Sequence, residues 1–177
     1  MRAQPIVTAA ALAAVFAAAA LAATYQDPQR RFEIHIPAGW TAEPFGEGVK
    51  VARGTSYCLV MEGQAPNPEA LVNHLVEQLG SQWTRFQQLE RGSATIGGQP
   101  APYSFHSGVN AKGVPSFLKV LAVSSQGTLF GLIESSSEKE FPAAKAGLEQ
   151  IEQGFRFKPR PAPKRSGVPG PVKRLSP

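Results

Sequence analysis

Phe117-Leu118-Lys119-Val120-Leu121-Ala122-Val123, joined through Gln126-Gly127 to Thr128-Leu129-Phe130-Gly131-Leu132-Ile133, is the stretch on which the fold turns. A Gln-Gly pair between two short runs rich in β-formers reads as a hairpin. Successive side chains of a strand point to opposite faces, and here both faces are largely apolar. A strand apolar on both faces must be covered on both. Tyr57-Cys58-Leu59-Val60-Met61 has the same character. These central strands predict a sheet with something packed on each side.

The flanking segments supply the cover. Arg31-Phe32-Glu33-Ile34-His35-Ile36 alternates, with Phe32, Ile34 and Ile36 on one face. It stops at Pro37-Ala38-Gly39-Trp40, where Pro removes a donor and Gly permits a turn. Trp40 is expected to plug one end of the core. Residues 49–52 and 57–61 read as the next two strands. Asn67-Pro68 opens a helix, with Asn as N-cap and Pro at the first position. Leu71, Val72, Leu75, Val76, Leu79, Trp83 and Phe86 form a helical stripe, so this helix is predicted over 69–86 with Gly80 inside it.

Ile96-Gly97-Gly98-Gln99 is a second hairpin signal, followed by an arm carrying Tyr103 and Phe105 and a loop over 108–115. A closing helix is predicted over 137–154. Ser137 and Glu140 have capping-box spacing, and Phe141, Ala144, Leu148, Ile151 and Phe155 mark the buried side. The order is three strands, helix, four strands, helix. Hairpin-linked strands pair antiparallel. The expected class is therefore α+β: an α/β/α sandwich, its mostly antiparallel sheet of about six to seven strands carrying one main helix on each face.

The ends differ from this domain. Residues 6–23 are apolar and Ala-rich behind Arg2, and Ala20-Leu21-Ala22 is a small-x-small pattern. Residues 1–23 thus read as a secretory signal peptide, cleaved after Ala22 or Ala23, leaving an exported, periplasmic or secreted protein that is not transmembrane. Residues 158–177 contain six Pro and six basic residues and nothing acidic. Such a segment has little to bury and is expected to be extended or disordered. Its Lys158, Arg160, Lys164, Arg165, Lys173 and Arg174 suit contact with an anionic surface. The whole chain has 18 Lys+Arg against 13 Asp+Glu, a net +5. Residues 24–157, however, hold 11 Lys+Arg against 13 Asp+Glu. The domain is mildly acidic and the basic charge belongs to the tail, which removes the main support for nucleic-acid binding.

Phe32-x-Ile34-x-x-Pro37-x-Gly39-Trp40, Ile96-Gly97-Gly98-Gln99-Pro100-Ala101 and the closing helix into Gly154-Phe155 together resemble the PsbP/DcrB/LpqN superfamily. The resemblance spans most of 24–157. It implies an exported α/β/α sandwich that serves as a non-catalytic assembly or binding domain. The group has no shared catalytic motif, so Pro37, Gly39, Trp40, Gly97 and Gly98 are structural positions.

Candidate chemistry is sparse. His35, His74 and His106 stand too far apart in sequence for any local metal-binding pattern, and no cofactor signature occurs. His35 and His106 both fall on predicted strands and could meet across the sheet. Cys58, the single cysteine, could act as a nucleophile beside one of them. Its place in an apolar run equally fits a buried inert thiol. Glu43, Glu47 and Glu62 flank turns and read as surface charge rather than an acid/base pair. No enzyme class is indicated. The favoured function is an exported interaction module docking on an envelope or secreted protein. The alternatives are a small-molecule or lipid carrier with its pocket between the sheet and the 69–86 helix, and, more distantly, a hydrolase built on Cys58 or a carboxylate pair.

Overall fold

The computed structural model describes residues 23–159; residues 1–22 of the predicted leader and residues 160–177 of the predicted tail lie outside them. The chain runs β1 (Ala23–Gln26), β2 (Phe32–Ile36), β3 (Thr41–Phe45), β4 (Gly48–Arg53), β5 (Ser56–Gly63), α1 (Pro68–Gly80), β6 (Thr84–Ile96), β7 (Gln99–Val109), β8 (Pro115–Ser125), β9 (Thr128–Ser137), α2 (Phe141–Gly154) and β10 (Phe155–Phe157). Seven strands form one antiparallel sheet in the order β3-β4-β5-β9-β8-β7-β6. A small antiparallel sheet, β1-β2-β10, packs apart from it. The predicted α+β sandwich is the observed fold, with α1 on one face of the large sheet and α2 with the small sheet on the other.

The doubly apolar strands decide this arrangement. Leu121, Val123, Phe130, Leu132, Cys58 and Val60 face α2 and the small sheet, joined by Phe32, Ile34, Ile36, Leu148 and Ile151. Leu118, Val120, Ala122 and Ile133, the alternate positions, face Leu71, Val72 and Leu75 of α1. Burying each such aliphatic side chain is worth about 1.5–3 kcal/mol before entropy is subtracted.

α1 begins as the sequence predicts. Asn67 Oδ1 accepts from the Ala70 N–H at 2.8 Å, and Pro68 occupies the first turn. It ends earlier than predicted, at Gly80, and residues from Thr84 form the 13-residue strand β6. The stripe misled because Trp83 and Phe86 do join the apolar cluster of α1, but from the chain that folds back over its end. The Phe86 ring lies against Gly80, filling the space a Cβ there would take.

Two further boundaries move. The loop predicted over 108–115 is a short turn after Val109, held by Asn110, whose side-chain oxygen accepts from the Lys112 and Val114 N–H groups. α2 starts at Phe141, next to Pro142, not at Ser137. Ser137 Oγ still accepts from the Glu140 N–H at 3.3 Å. Glu140, however, turns away from the helix and accepts from Thr55 N–H and Oγ–H, so only half of the capping box forms.

Gly97 and Gly98 have φ of +57° and +81°, the geometry a two-residue hairpin requires of both central residues. Trp40 follows a turn closed by its N–H on the Pro37 carbonyl and is 6% exposed. Its indole lies flat enough on α2 that a Cβ at Gly147 would stand 2.5 Å from Nε1. Gly147→Ala is therefore expected to destabilise the domain by about 1–3 kcal/mol through overpacking. A lower urea midpoint with an unchanged m-value is the expected reading; an unchanged midpoint would show the contact to be looser than drawn.

Lys158 departs from its predicted place in a free tail. Its N–H donates to the Arg31 carbonyl at 2.9 Å, its Nζ pairs with Glu33 at 2.5 Å, and its carbonyl accepts from Gln126. Order thus extends past β10. Arg160, Lys164, Arg165, Lys173 and Arg174 fall outside the described residues.

Candidate functional site

Antiparallel register sets three chemically unusual side chains in a row beneath α2. Lys119 on β8 pairs with Glu134 on β9, and Glu134 pairs with Cys58 on β5. Directly opposed residues bring their Cβ atoms to about 4.5–5.5 Å. From above, Glu152 descends from the buried side of α2, one turn beyond Leu148, and its Oε1 meets Lys119 Nζ at 2.5 Å. Tyr103 on β7 lies beside this pair, its ring centroid 4.9 Å from Lys119 Nζ, and its hydroxyl donates to Glu90 on β6.

Lys119, Glu134, Glu152, Tyr103 and Glu90 wall a cavity of about 530 Å³ between α2 and the large sheet. Beside them on the same sheet face the lining turns aromatic. Phe105, Phe117 and Phe141 stack with centroids 4.7–5.9 Å apart. Exposed Lys145, Glu149 and Gln153 on α2 form the rim. A cavity of this size, partly apolar and carrying a few convergent polar groups, has the dimensions of a small-ligand site.

Glu134 is the most strained electrostatic element. It is 4% exposed, and its Oε1 has no hydrogen-bond partner among the described residues. Burial first, and then the Glu152 charge, push its carboxyl well above the usual range, against the pull of Lys119. Its surroundings therefore favour the protonated form, which can donate to Glu152. Burial also opposes the charge of Lys119, but the neighbouring carboxyls, with Glu152 in direct contact, outweigh it and raise its pKa. The site thus holds one ion pair, Lys119 with Glu152, beside a carboxyl whose burial disfavours its charge.

Cys58 is fully buried in the sheet below Glu134. Burial, then Glu134 and Glu152, raise its thiol well above the ordinary range, so it is not a thiolate near neutrality. Neither candidate histidine reaches it. His106 lies on the α1 face, stacked 4.4 Å from the Phe86 ring, with Nε2 2.8 Å from Ser104 Oγ and Nδ1 buried without a partner among the described residues. Burial and then Arg91 lower its pKa and keep it neutral. His35 is exposed on the small sheet. The predicted meeting of the two across one sheet is not found. Glu43 and Glu62 are exposed and pair with Lys50 and Arg31, and Glu47 is exposed on the loop before β4. Among the described residues, no group of three His, Cys, Asp or Glu side chains is placed to hold a metal ion.

The structure superposes on cyanobacterial PsbP (CyanoP) from Synechocystis sp. PCC 6803 with a TM-score of 0.58 and 13% identity, covering 84% of this chain and 98% of that one. It superposes on LpqN of Mycobacterium tuberculosis, a protein involved in cell envelope biogenesis, with a TM-score of 0.56 and 15% identity, covering 78% and 86%. The fold is PsbP/LpqN-like. No family model and no curated protein sequence matches the chain.

In this PsbP/LpqN-like frame, the pocket opens under α2, on the opposite face of the sheet from the one the sequence points to. α1 lies too close for a cavity. A Cβ at Gly131 of β9 would stand 2.9 Å from Leu75. The groups that wall the true cavity were legible only as exceptions to pattern. Lys119 interrupts a strand apolar on both faces, and Glu152 shares a helix side with Leu148 and Ile151. Glu134, at the end of an apolar run leading into three serines, resembles an ordinary strand exit. Among the described residues, no helix is long and apolar enough to cross a membrane.

Proposed function

We propose that this domain is an exported, non-enzymatic binding module that takes a small organic ligand into the cavity between α2 and the large sheet. The observation that carries this is the half-open 530 Å³ cleft with aromatic lining and a buried carboxyl oxygen left without a partner among the described residues. Buried polar atoms are rarely left unpaired, and this one belongs to a residue that lines a ligand-sized cavity, where a guest that shifts its cover would satisfy it. The chemistry on offer is recognition. Cys58 is protonated and covered, and Glu134 and Glu152 contact each other, which leaves no substrate bond flanked between them.

Export rests on the leader read in residues 1–23, supported by the envelope role of LpqN, whose fold this chain shares. The basic tail would add contact with an anionic surface, and docking on an envelope or secreted protein is compatible with a loaded pocket. Native mass spectrometry of the full chain purified from the exported fraction tests the pocket. A small-molecule adduct that disappears in Gln153→Trp, where an indole at the exposed rim narrows the mouth, is the expected result. An adduct that survives the rim substitution, or a protein-only complex in its place, would overturn the assignment.

A further inference from the structure

We propose that the pocket selects an organic cation: a primary or secondary ammonium on an aromatic or aliphatic body, its nitrogen donating to Glu134 Oε1 and its body lying against Phe105, Phe117 and Phe141. The proposal deepens the pocket assignment above and rests on it.

Charge balance sets the sign. The cavity wall and rim hold four carboxyls, Glu90, Glu134, Glu149 and Glu152, against two ammonium groups, Lys119 and Lys145. Both ammonium groups are already matched, Lys119 by Glu152 at 2.5 Å and Lys145 by Glu149 at 3.9 Å. Glu90 receives only the neutral Tyr103 hydroxyl. No cation is therefore left for an anionic guest, while two carboxyls have none.

Geometry sets the place. Glu134 is fixed by its strand neighbours, with Lys119 to one side, Cys58 to the other and Glu152 above. Of these, only Lys119 is cationic, and it is committed to Glu152. The bond to Glu152 engages the other carboxyl oxygen and its proton, so the orphaned Oε1 is an acceptor, and a guest that satisfies it must be a donor. Ring faces attract a cation that a neutral donor leaves unused, by about 0.5–1 kcal/mol or more each. Proton accounting then follows. The ammonium enters charged, the Glu134 carboxyl gives up its proton to solvent, and the complex gains an N–H···O⁻ bond with no change in the charge of the site.

Three probes of one shape distinguish the readings: 2-phenylethylammonium, 2-phenylethanol and 3-phenylpropanoate, titrated calorimetrically into the full chain at pH 7 in two buffers of different ionisation enthalpy. The ammonium is expected to bind about tenfold or more tightly than the alcohol, with close to one proton released, and the propanoate most weakly. Glu134→Gln keeps the shape, and is expected to lose most of that preference and the proton release. Glu134→Leu serves as a second variant should the amide disturb folding. Equal or tighter binding of the alcohol or the propanoate, or an ammonium affinity unchanged in Glu134→Gln, would sink the cation assignment while leaving the pocket. Binding of none of the three, together with no adduct in native mass spectra, would sink both.

Discussion

Replacing Glu134 by leucine is expected to make the ligand-free domain more stable, by about 1–3 kcal/mol at pH 7, while removing most of the preference for a cationic ligand. The carboxyl is buried, one oxygen is unpartnered, and Glu152 repels its charged form. A leucine of similar volume removes that desolvation cost and extends the apolar row of Leu132 and Phe130 on the same face. The Lys119–Glu152 pair survives, so no charge is orphaned. The gain should depend on pH with a definite sign. The folded-state pKa lies above the unfolded value of about 4.3. Between the two, the unfolded chain has released a proton that the folded chain keeps. Wild-type stability therefore falls as pH rises from about 4 toward the raised value, and levels off beyond it. The advantage of Glu134→Leu should widen over that interval. Urea titrations at several pH values measure it, and a variant less stable than wild type at every pH would remove Glu134 from the role given to it.

Lys119→Met is expected to act in the opposite direction and more strongly, lowering stability by about 3–5 kcal/mol. Methionine matches the stem of the lysine, so packing beside Tyr103 is largely kept. What is lost is, among the described residues, the cation that faces both Glu134 and Glu152. Breaking one partner of a buried pair leaves the other charge uncompensated, and here it leaves two carboxyls against each other. The pair Lys119→Met with Glu152→Leu should recover much of the loss, the mark of coupling between contacting residues. A single variant within about 0.5 kcal/mol of wild type would show that the pair is solvated rather than buried.

Much of the architecture was legible because it follows from periodicity. Strands apolar on both faces forced a sheet covered on both sides, and Gln126-Gly127 and Gly97-Gly98 marked their hairpins. Three strands escaped notice for physical reasons. β3 is an exposed edge strand containing Pro44; β1 and β10 are short and exist only by pairing with β2. The 69–86 stripe failed because two aromatic residues returned to the same apolar cluster by a chain reversal, which sequence spacing cannot distinguish from another helical turn. The candidate site was least legible. Lys119, Glu134, Glu152 and Tyr103 are separated by up to 49 positions, and only strand register and the seating of α2 bring them together. The candidates that a linear scan selects for reactivity, Cys58, His35 and His106, were distributed by the same register to three separate environments.

The docking of the last strand has a mechanical consequence. β1 and β10 flank β2, and both run against it. The chain enters the small sheet opposite Ile36, and leaves it at the other end, opposite Phe32. A pull on whatever precedes Ala23 against whatever follows Pro159 therefore loads these strands lengthwise, as a lap joint rather than a zipper, with hydrogen bonds sharing the force. Behind the joint, Glu152 stands only three residues before Phe155. A tether that works the joint loose would next bear on α2 itself, and so on the roof of the cavity.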